Sequence, residues 1–579
     1  MWMICISLNI CIWLILFHSY RKLTSDRRDK RFYILVMTAT VLVLMAVYYW
    51  SLHTRRMIYY WDYSNYYAIQ IRTNRLAQLP FFELVREIID SIWYDDYNCF
   101  ICLFCVLPFQ VLKTHTVDTY IGLYYCLLVI PTSLAMGLCL ARLLEVFEVQ
   151  SRRWIFVLAY VGAACCPLLH AASLRGQPDI LGVMFCFLLV FYICDYEFEQ
   201  IEICRWGILI LLTEMLIITR RWYLFWIVGF WISNGLRVLW CSWEKLLLVR
   251  FRNLALFGSA GIVIVGGSLF WFWKRILGDN YAADYSFYNN GGLRTEWKTQ
   301  LAYMGYVGAL VILIALLLAL VTHKTRKTAS VVALNFLLAI ILFTQIQNAG
   351  EHQSLIFLCC YLVIVYLGCC CAKKISLVLA AVWCMTSVLG LGTALAGYSG
   401  RAGLTMIDLK PVVREDYEDI SEVYGFIQEQ VVDQEERMYI IPHGSVYNPD
   451  TFRNFEAPET LASYIPYGSA VSGVHYFPED FCTAKYVMTC DPLDDLTSEP
   501  NSIVKTLDHA LQYLTERGKF VLARQFAFQN GTVFYCYEWV EPVDNEEIDY
   551  LEQQFAALSD RYPDRWEEIL EEIRERIEE

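Results

Sequence analysis

The first 400 residues alternate long apolar runs with short polar linkers. A helix crosses the roughly 30 Å of membrane hydrocarbon with about 20 apolar residues. Runs that approach or exceed this length lie near residues 1–20, 32–52, 119–140, 154–171, 205–219, 222–240, 254–273, 301–321, 329–346, 354–371 and 375–396, with a shorter run at 180–194. The pattern predicts about twelve membrane spans.

The linkers between these runs set the expected orientation. Basic residues concentrate in the linkers at 21–31, 141–153, 241–253, 323–327 and 373–374. All of these lie on one side if the amino terminus starts outside, which satisfies the positive-inside rule. The apolar segment 99–112 is too short to span, and counting it as a span would invert every later linker. We therefore expect it to be re-entrant or interfacial.

The segment 80–93 has a different, amphipathic pattern. Its apolar and charged residues fall on opposite faces of a helix, which is typical of a helix lying in the membrane interface. Such a helix either frames a site that opens sideways to lipid or simply covers the helical bundle.

Beyond residue 400 the pattern becomes that of a soluble α/β domain. Helices are predicted at 416–432, 502–516 and in the charged tail 545–579, with a strand at 437–441. Two further strands, 519–528 and 532–539, flank Asn530-Gly531, a strong hairpin signal. The predicted fold class is a polytopic α-helical membrane protein with a C-terminal α/β domain, divided into residues 1–400 and 401–579.

Charge and composition sharpen this division. The chain is 57% apolar and 16% aromatic, too hydrophobic for an ordinary soluble protein. Residues 401–579 hold 14 basic and 37 acidic residues, a net charge of −23 that leaves +10 for the first 400 residues. The acidic domain is expected outside the cytoplasm, and its charge argues against a nucleic-acid partner. Only three of the 22 cysteines lie in it, too few for a disulfide framework.

The first candidate for chemistry is Asp62, which lies about ten residues beyond a predicted span in MIYYWDYSNYYAIQ. Its aromatic neighbours, among them Trp61 and Tyr66, suit sugar stacking and membrane-interface anchoring equally. Taken alone, Asp62 is either a reactive carboxylate or an incidental acid in an aromatic belt.

A second stretch, ASLRGQPDILG at 172–182, falls in a short outer loop between spans. Arg175 and Asp179 are separated there by Gly-Gln-Pro, which favours a sharp bend. Asp179 is a candidate site residue or a helix N-cap, and Arg175 either binds substrate or pairs with Asp179.

Three more polar residues are predicted at the outer face. Arg220 and Arg221, squeezed between two spans, offer donor forks that match phosphate oxygens. Their alternative role is to reach lipid headgroups from a tight turn. His352, in the loop QNAGEHQ, either contacts phosphate or is structural.

An early outer loop carrying Asp62, an interfacial helix in that loop, and a second loop in which Arg175-Gly-Gln-Pro-Asp179 is similar to Arg-x-Gly-x-x-Asp together resemble the GT-C superfamily of polyprenyl-phosphate-dependent glycosyltransferases. The resemblance covers about residues 32–396. It implies that Asp62 matches the first-loop catalytic Asp and Asp179 the second-loop acidic residue. The chain departs from the family pattern because Tyr63, rather than a second acid, follows Asp62. Dependence on Mg²⁺ or Mn²⁺ therefore stays open.

The resulting hypothesis is an inverting hexosyltransferase of the cell membrane that acts in cell-envelope polysaccharide biosynthesis. It would move a sugar from a polyprenyl-phosphate donor to a saccharide, lipid or protein acceptor outside the cytoplasm, with Asp62 as the base. The alternatives are a transporter or flippase of lipid-linked saccharides and a non-catalytic membrane assembly protein.

Overall fold

The structure is a computed structural model of the full chain. It describes residues 1–54, 57–59, 62–113, 116–149, 152–240, 247–285, 289, 291–371, 373–395, 414–444, 446–456, 460–466, 478–496, 502–556, 558 and 570–571.

Helices account for nearly all regular structure before residue 400. They are α1 (Trp2–Lys22), α2 (Arg27–Thr54), α3 (Asp62–Leu76), α4 (Phe81–Tyr94), α5 (Val106–Leu112), α6 (Val117–Tyr124), α7 (Ile130–Val146), α8 (Arg152–Ala164), α9 (Pro167–Leu174), α10 (Asp179–Ile193), α11 (Ile203–Thr219), α12 (Tyr223–Trp240), α13 (Leu247–Ser268), α14 (Phe270–Gly278), α15 (Tyr281–Asp284), α16 (Gly292–Val321), α17 (Arg326–Phe343), α18 (Leu355–Cys369) and α19 (Lys373–Leu395). A π-helical turn at Tyr125–Val129 joins α6 to α7.

The apolar runs of the sequence are helical, and three of them are each divided between two helices: 119–140 between α6 and α7, 154–171 between α8 and α9, and 254–273 between α13 and α14. Among the described residues, seven helices are long and apolar enough to cross a membrane, or eight if the bent pair of α8 and α9 counts as one span. The helices α10 and α18 are apolar but have only 15 residues each. A polytopic helical protein is confirmed, whereas the count of about twelve spans stays a prediction.

The segment 99–112 folds as a short 3-10 turn, Cys102–Phe104, followed by α5. A seven-residue helix rises only about 10 Å, which is far less than a membrane thickness. This agrees with the expectation that the segment does not span. The amphipathic helix predicted at 80–93 is α4, which buries Leu84 and Ile88 and leaves Phe81 and Phe82 exposed.

The centre of the helical body is formed by the helices that are apolar on all sides. Every residue of α10 and of α18 is buried. A helix without a polar face gains most by burial on all sides, so these two pack among neighbours rather than against lipid. The first residue of α10 is Asp179, which places a carboxylate at the end of this buried element.

The C-terminal part is an α/β domain, as predicted. Its strands are β1 (Met438–Ile440), β2 (Tyr486–Asp491), β3 (Phe520–Ala527) and β4 (Val533–Trp539), and its helices are α20 (Tyr417–Ile427), α21 (Pro449–Arg453), α22 (Glu479–Thr483), α23 (Ile503–Glu516) and α24 (Asn545–Ala556). The sheet order is β1-β2-β4-β3, with β1 parallel to β2 and the other pairs antiparallel. Gly531 has φ of +90° in the predicted hairpin turn.

The chain divides into two compact units. One comprises residues 1–55, 66–282 and 288–412, and the other comprises 56–65, 283–287 and 413–579. The second unit has two apolar clusters, one around α23, α24 and Val487, the other around α20, β1 and Phe534. The assignment of functions to residues 1–400 and 401–579 stays a prediction.

Candidate functional site

Hydrogen bonds from tyrosine side chains hold the main chain of the segment 173–179, which leads into α10. Tyrosine hydroxyls donate to four carbonyl oxygens of this segment: Tyr48 to Ser173 at 2.6 Å, Tyr120 to Gly176 at 2.9 Å, Tyr124 to Gln177, and Tyr223 to Asp179 at 2.7 Å. Gly176 has φ of +65°, and a Cβ there would lie 2.4 Å from the Tyr120 ring. Only glycine fits this bend, which fixes where the next side chains begin.

Asp179 and Arg220 form a buried ion pair at the end of this loop. The Arg220 Nε lies 3.5 Å from Asp179 Oδ2, and the two residues are 6% and 0% exposed. Arg220 follows the last residue of α11 in extended backbone, which directs its side chain inward. The expected alternative, an arginine reaching lipid headgroups, does not hold for Arg220.

Two tyrosines, Tyr66 and Tyr97, contact the same guanidinium. The Arg220 Nη1 donates to the hydroxyl of Tyr66, and the guanidinium lies 5.2 Å from the Tyr66 ring centroid and 5.5 Å from that of Tyr97. A cation over aromatic faces is attracted by the ring quadrupole, more strongly when water is excluded. Tyr66, predicted to contact sugar, is buried and contacts Arg220.

A cleft of about 330 Å³, open solvent included, lies beside this pair. Its lining includes Tyr66, Pro178 and the arginines Arg220, Arg221 and Arg275. Three guanidiniums on one small cleft offer hydrogen-bond donors that match the oxygens of an anionic ligand.

Carboxylates of the sequence Asp95-Asp96, which also line the cleft, already contact some of its cations. Asp96 Oδ1 lies 3.2 Å from Arg275 Nη1 and also contacts Arg221 Nη1. Asp95 pairs with Arg72 at 3.0 Å. Asp96 therefore sits where an anionic group bound between Arg221 and Arg275 would compete with it.

Arg175 points to a different partner from the one considered in the sequence. Its Nη1 forms an ion pair with Glu351, not with Asp179. This corrects the expected Arg175–Asp179 alternative. The loop at 347–353 thus meets the loop before α10 through a pair of opposite charges, and Arg175 is 5% exposed.

A buried carboxylate near the start of α16 holds the loop at 347–353 in place. Glu296 is 0% exposed and accepts hydrogen bonds from Ala349 N at 2.7 Å, Asn348 Nδ2 at 3.2 Å and Gln300 Nε2 at 2.8 Å. Three donors on one buried carboxylate satisfy its oxygens and fix the backbone just before Glu351.

The remaining predicted residues are placed as follows. Asp62 is the first residue of α3 and is partly buried, within the second unit. Trp61 lies outside the described residues. His352 is partly buried beside Gly350. The catalytic or binding roles assigned to these three stay predictions.

The carboxylates at and beside the cleft are the side chains that a metal ion would need as ligands. In the part of the chain that the structure describes, no three His, Cys, Asp or Glu side chains group as metal ligands. Asp95, Asp96 and Asp179 each contact an arginine instead. Because each of them faces an arginine, these three carboxylates do not fit a divalent cation.

Sequence reasoning missed the residues Asp95, Asp96, Arg275, Gln177 and Glu296. The Asp95-Asp96 doublet directly follows the amphipathic helix and was the available signal for two of them. Arg275 and Glu296 are charged residues near the ends of apolar helices, and nothing in the local pattern separates them from ordinary boundary residues.

No family model matches the chain, and no curated protein matches it in sequence. Among solved structures, the chain is similar to ArnT from Cupriavidus metallidurans bound to undecaprenyl phosphate, at 11% identity and a TM-score of 0.47, over 87% of this chain and 97% of that one. The apo structure of the same protein gives 12% identity and a TM-score of 0.45, over 86% and 97%. At these TM-scores the similarity carries no argument of its own.

Proposed function

We propose that this protein is a membrane glycosyltransferase that moves a sugar from a polyprenyl-phosphate-linked donor to an acceptor outside the cytoplasm. The observation that carries the proposal is the cleft lined by Arg220, Arg221 and Arg275 in a body of apolar helices. A lipid phosphate combines an anionic head with an apolar tail, and this site offers a complement to each.

The arginines of the cleft support binding and departure of phosphate. In the transfer step the acceptor hydroxyl oxygen attacks the anomeric carbon, the bond from that carbon to the phosphate oxygen breaks, and its electron pair leaves with the polyprenyl phosphate. Guanidinium groups stabilise the negative charge that develops on the departing oxygen. A single displacement of this kind inverts the anomeric centre.

The acceptor proton needs a base, and this role is assigned to Asp62 from its place in the sequence. Trp61 would stack on the sugar. The buried Asp179 holds the Arg220 guanidinium, whereas Tyr66 supports the same group from another side. Arg175 and His352 are proposed to line the substrate path.

The setting proposed for this reaction is the outer face of the cell membrane. The basic linkers place the loops of the site and the acidic C-terminal domain outside, if the positive-inside rule holds for this chain. The acceptor would be a saccharide, lipid or protein of the cell envelope.

The test uses the full chain in nanodiscs with undecaprenyl phosphate-linked hexoses and measures release of undecaprenyl phosphate. Arg275→Gln is expected to weaken donor binding by about 10- to 100-fold, because a charged hydrogen bond to phosphate is lost. Arg86→Gln, an exposed arginine of α4, is the matched control. Asp62→Asn is expected to lower turnover by roughly 10²- to 10⁴-fold without weakening binding.

Two results would contradict the proposal. Transport of the lipid-linked sugar across proteoliposomes without any transfer would identify a transporter or flippase. Absence of both transfer and transport with every lipid-linked hexose would favour a non-catalytic membrane assembly protein. Wild-type transfer in a variant carrying both Asp62→Asn and Arg275→Gln would overturn the roles assigned to these two residues.

A further inference from the structure

Gln177, in the loop before α10, differs in hydrogen bonding between its main chain and its side chain. Its carbonyl oxygen accepts from the Tyr124 hydroxyl. Its side chain is 0% exposed, and within the described part of the chain neither Nε2 nor Oε1 has a hydrogen-bond partner. A buried amide without partners is costly and rare in folded proteins.

Asp179, two residues later, has the same character. Neither carboxylate oxygen has a hydrogen-bond partner among the described residues, and its ion pair is the 3.5 Å contact with Arg220. A buried carboxylate normally accepts several short hydrogen bonds. Pro178, between the two, lines the arginine cleft.

The four tyrosine hydroxyls explain why these side chains cannot find partners by a local shift. They fix the carbonyl oxygens of Ser173, Gly176, Gln177 and Asp179, so the backbone cannot turn to bring other donors closer. The loop is therefore held in one conformation next to the cleft. The side-chain polar atoms of Gln177 and Asp179 remain without hydrogen-bond partners among the described residues.

We propose that Gln177 and Asp179 bind a hydroxyl group of the saccharide, with Gln177 as a specificity-determining residue. This rests on the proposed glycosyltransferase function. A hydroxyl both donates and accepts, so it can donate to the carboxylate of Asp179 while it accepts from Nε2 of Gln177.

Other ligand classes fit these side chains less well. A phosphate would meet the carboxylate of Asp179 and the amide oxygen of Gln177, both of which repel an anion. A metal ion would find two side chains as ligands beside the positive charge of Arg220. A neutral polyol meets neither obstacle, and either the donor sugar or the acceptor can supply the hydroxyl.

The test is Gln177→Met, which keeps the length of the side chain and removes its polar atoms. If the amide is unpartnered without ligand, the variant in nanodiscs melts at a higher temperature than the wild type, because an unpaired buried group is removed. Gln300→Met is the stability control. Gln300 donates to Glu296 and to Ser354 at 2.8 Å, so its replacement is expected to lower the Tm.

The ligand readout is the sugar-dependent part of thermal stabilisation. It is the Tm increase with undecaprenyl phosphate-linked hexose minus the increase with undecaprenyl phosphate. In Gln177→Met we expect this part to disappear and donor affinity to fall roughly tenfold, the value of about one hydrogen bond. Gln345→Met, the same change at an exposed residue, should keep it.

The same variants distinguish whether the bound hydroxyl belongs to the donor sugar or to the acceptor. Loss of the sugar-dependent stabilisation identifies the donor sugar. Its retention with slower transfer at saturating donor identifies the acceptor hydroxyl. Gln177→Asn, which withdraws the amide by one methylene, should show the same functional defect without the gain in Tm.

The assignment is overturned if Gln177→Met has an unchanged or lower Tm together with wild-type stabilisation and transfer, because the amide then binds an internal water only. If the wild type itself shows neither sugar-dependent stabilisation nor transfer with any lipid-linked hexose, the proposed function fails, and this assignment fails with it.

Discussion

The Nε of Arg220 lies 3.5 Å from Oδ2 of Asp179, and both side chains are buried. The pair joins the C-terminal end of α11 to the first residue of α10. An ion pair in such a place is sensitive to the loss of either partner, since the remaining charge has no water to solvate it.

Asp179→Asn should therefore destabilise the protein by about 3 kcal/mol or more, because it leaves the Arg220 charge uncompensated. The double variant Asp179→Asn with Arg220→Gln should recover part of this loss in a thermal unfolding cycle, yet should not recover donor binding. Strictly additive losses in the cycle would show that the two side chains are not coupled.

Glu296→Gln should loosen the loop at 347–353. The amide places its own NH₂ against one of the donors Gln300, Asn348 and Ala349, at a cost of about 1.5–3 kcal/mol. Hydrogen exchange is expected to rise in this loop and not in α10. Glu87→Gln on the exposed face of α4 is the control, and equal exchange in both variants would contradict the role of Glu296.

Asp96→Asn should strengthen binding of undecaprenyl phosphate. The Asp96 carboxylate competes for Arg221 and Arg275, and releasing an exposed pair of this kind is worth up to about 1 kcal/mol, a two- to fivefold gain in affinity. Binding titrations at low and high salt would measure it. A weaker affinity would instead make Asp96 part of the ligand contact.

The C-terminal domain should lose stability in mild acid through His443. Burial lowers the pKa of His443 to about 4, with Asp495 opposing the shift. Because this pKa lies below the unfolded value of about 6.5, the unfolded chain binds the proton first, and stability falls as the pH drops from about 6.5 towards 4.

Between pH 7 and pH 5 this single group should cost about 2 kcal/mol. Comparing wild type with His443→Gln in hydrogen exchange of the strands β2 and β4 isolates the effect, since all other titrations are shared. Parallel pH profiles for the two proteins would exclude His443 as the origin.

Several elements could be predicted because their signals are local. The apolar runs of α1, α2, α16 and α19 follow from composition alone, and the hairpin of β3 and β4 follows from Asn530-Gly531. The strand β2 and the helices α21 and α22 were not predicted. Short elements carry too few residues for a periodic pattern.

The sequence named individual residues of the candidate site, whereas the contacts between them came from the structure. Arg220 and Asp179 were both named from the sequence, yet their pairing was not. The sequence offered Arg175 as one alternative partner of Asp179. Gln177 was passed over as a turn residue between Gly176 and Pro178. An amide in a turn is ordinary, and only the burial of this one makes it unusual.

The sequence by itself determined that this is a helical membrane protein with an acidic α/β domain, because hydrophobic length and charge distribution are properties of neighbouring residues. The tertiary structure decided which charges meet: Tyr66 with Arg220, 154 residues apart, and Arg175 with Glu351, 176 residues apart. Such pairings depend on how buried helices pack, and that packing sums many weak contacts that no local pattern encodes.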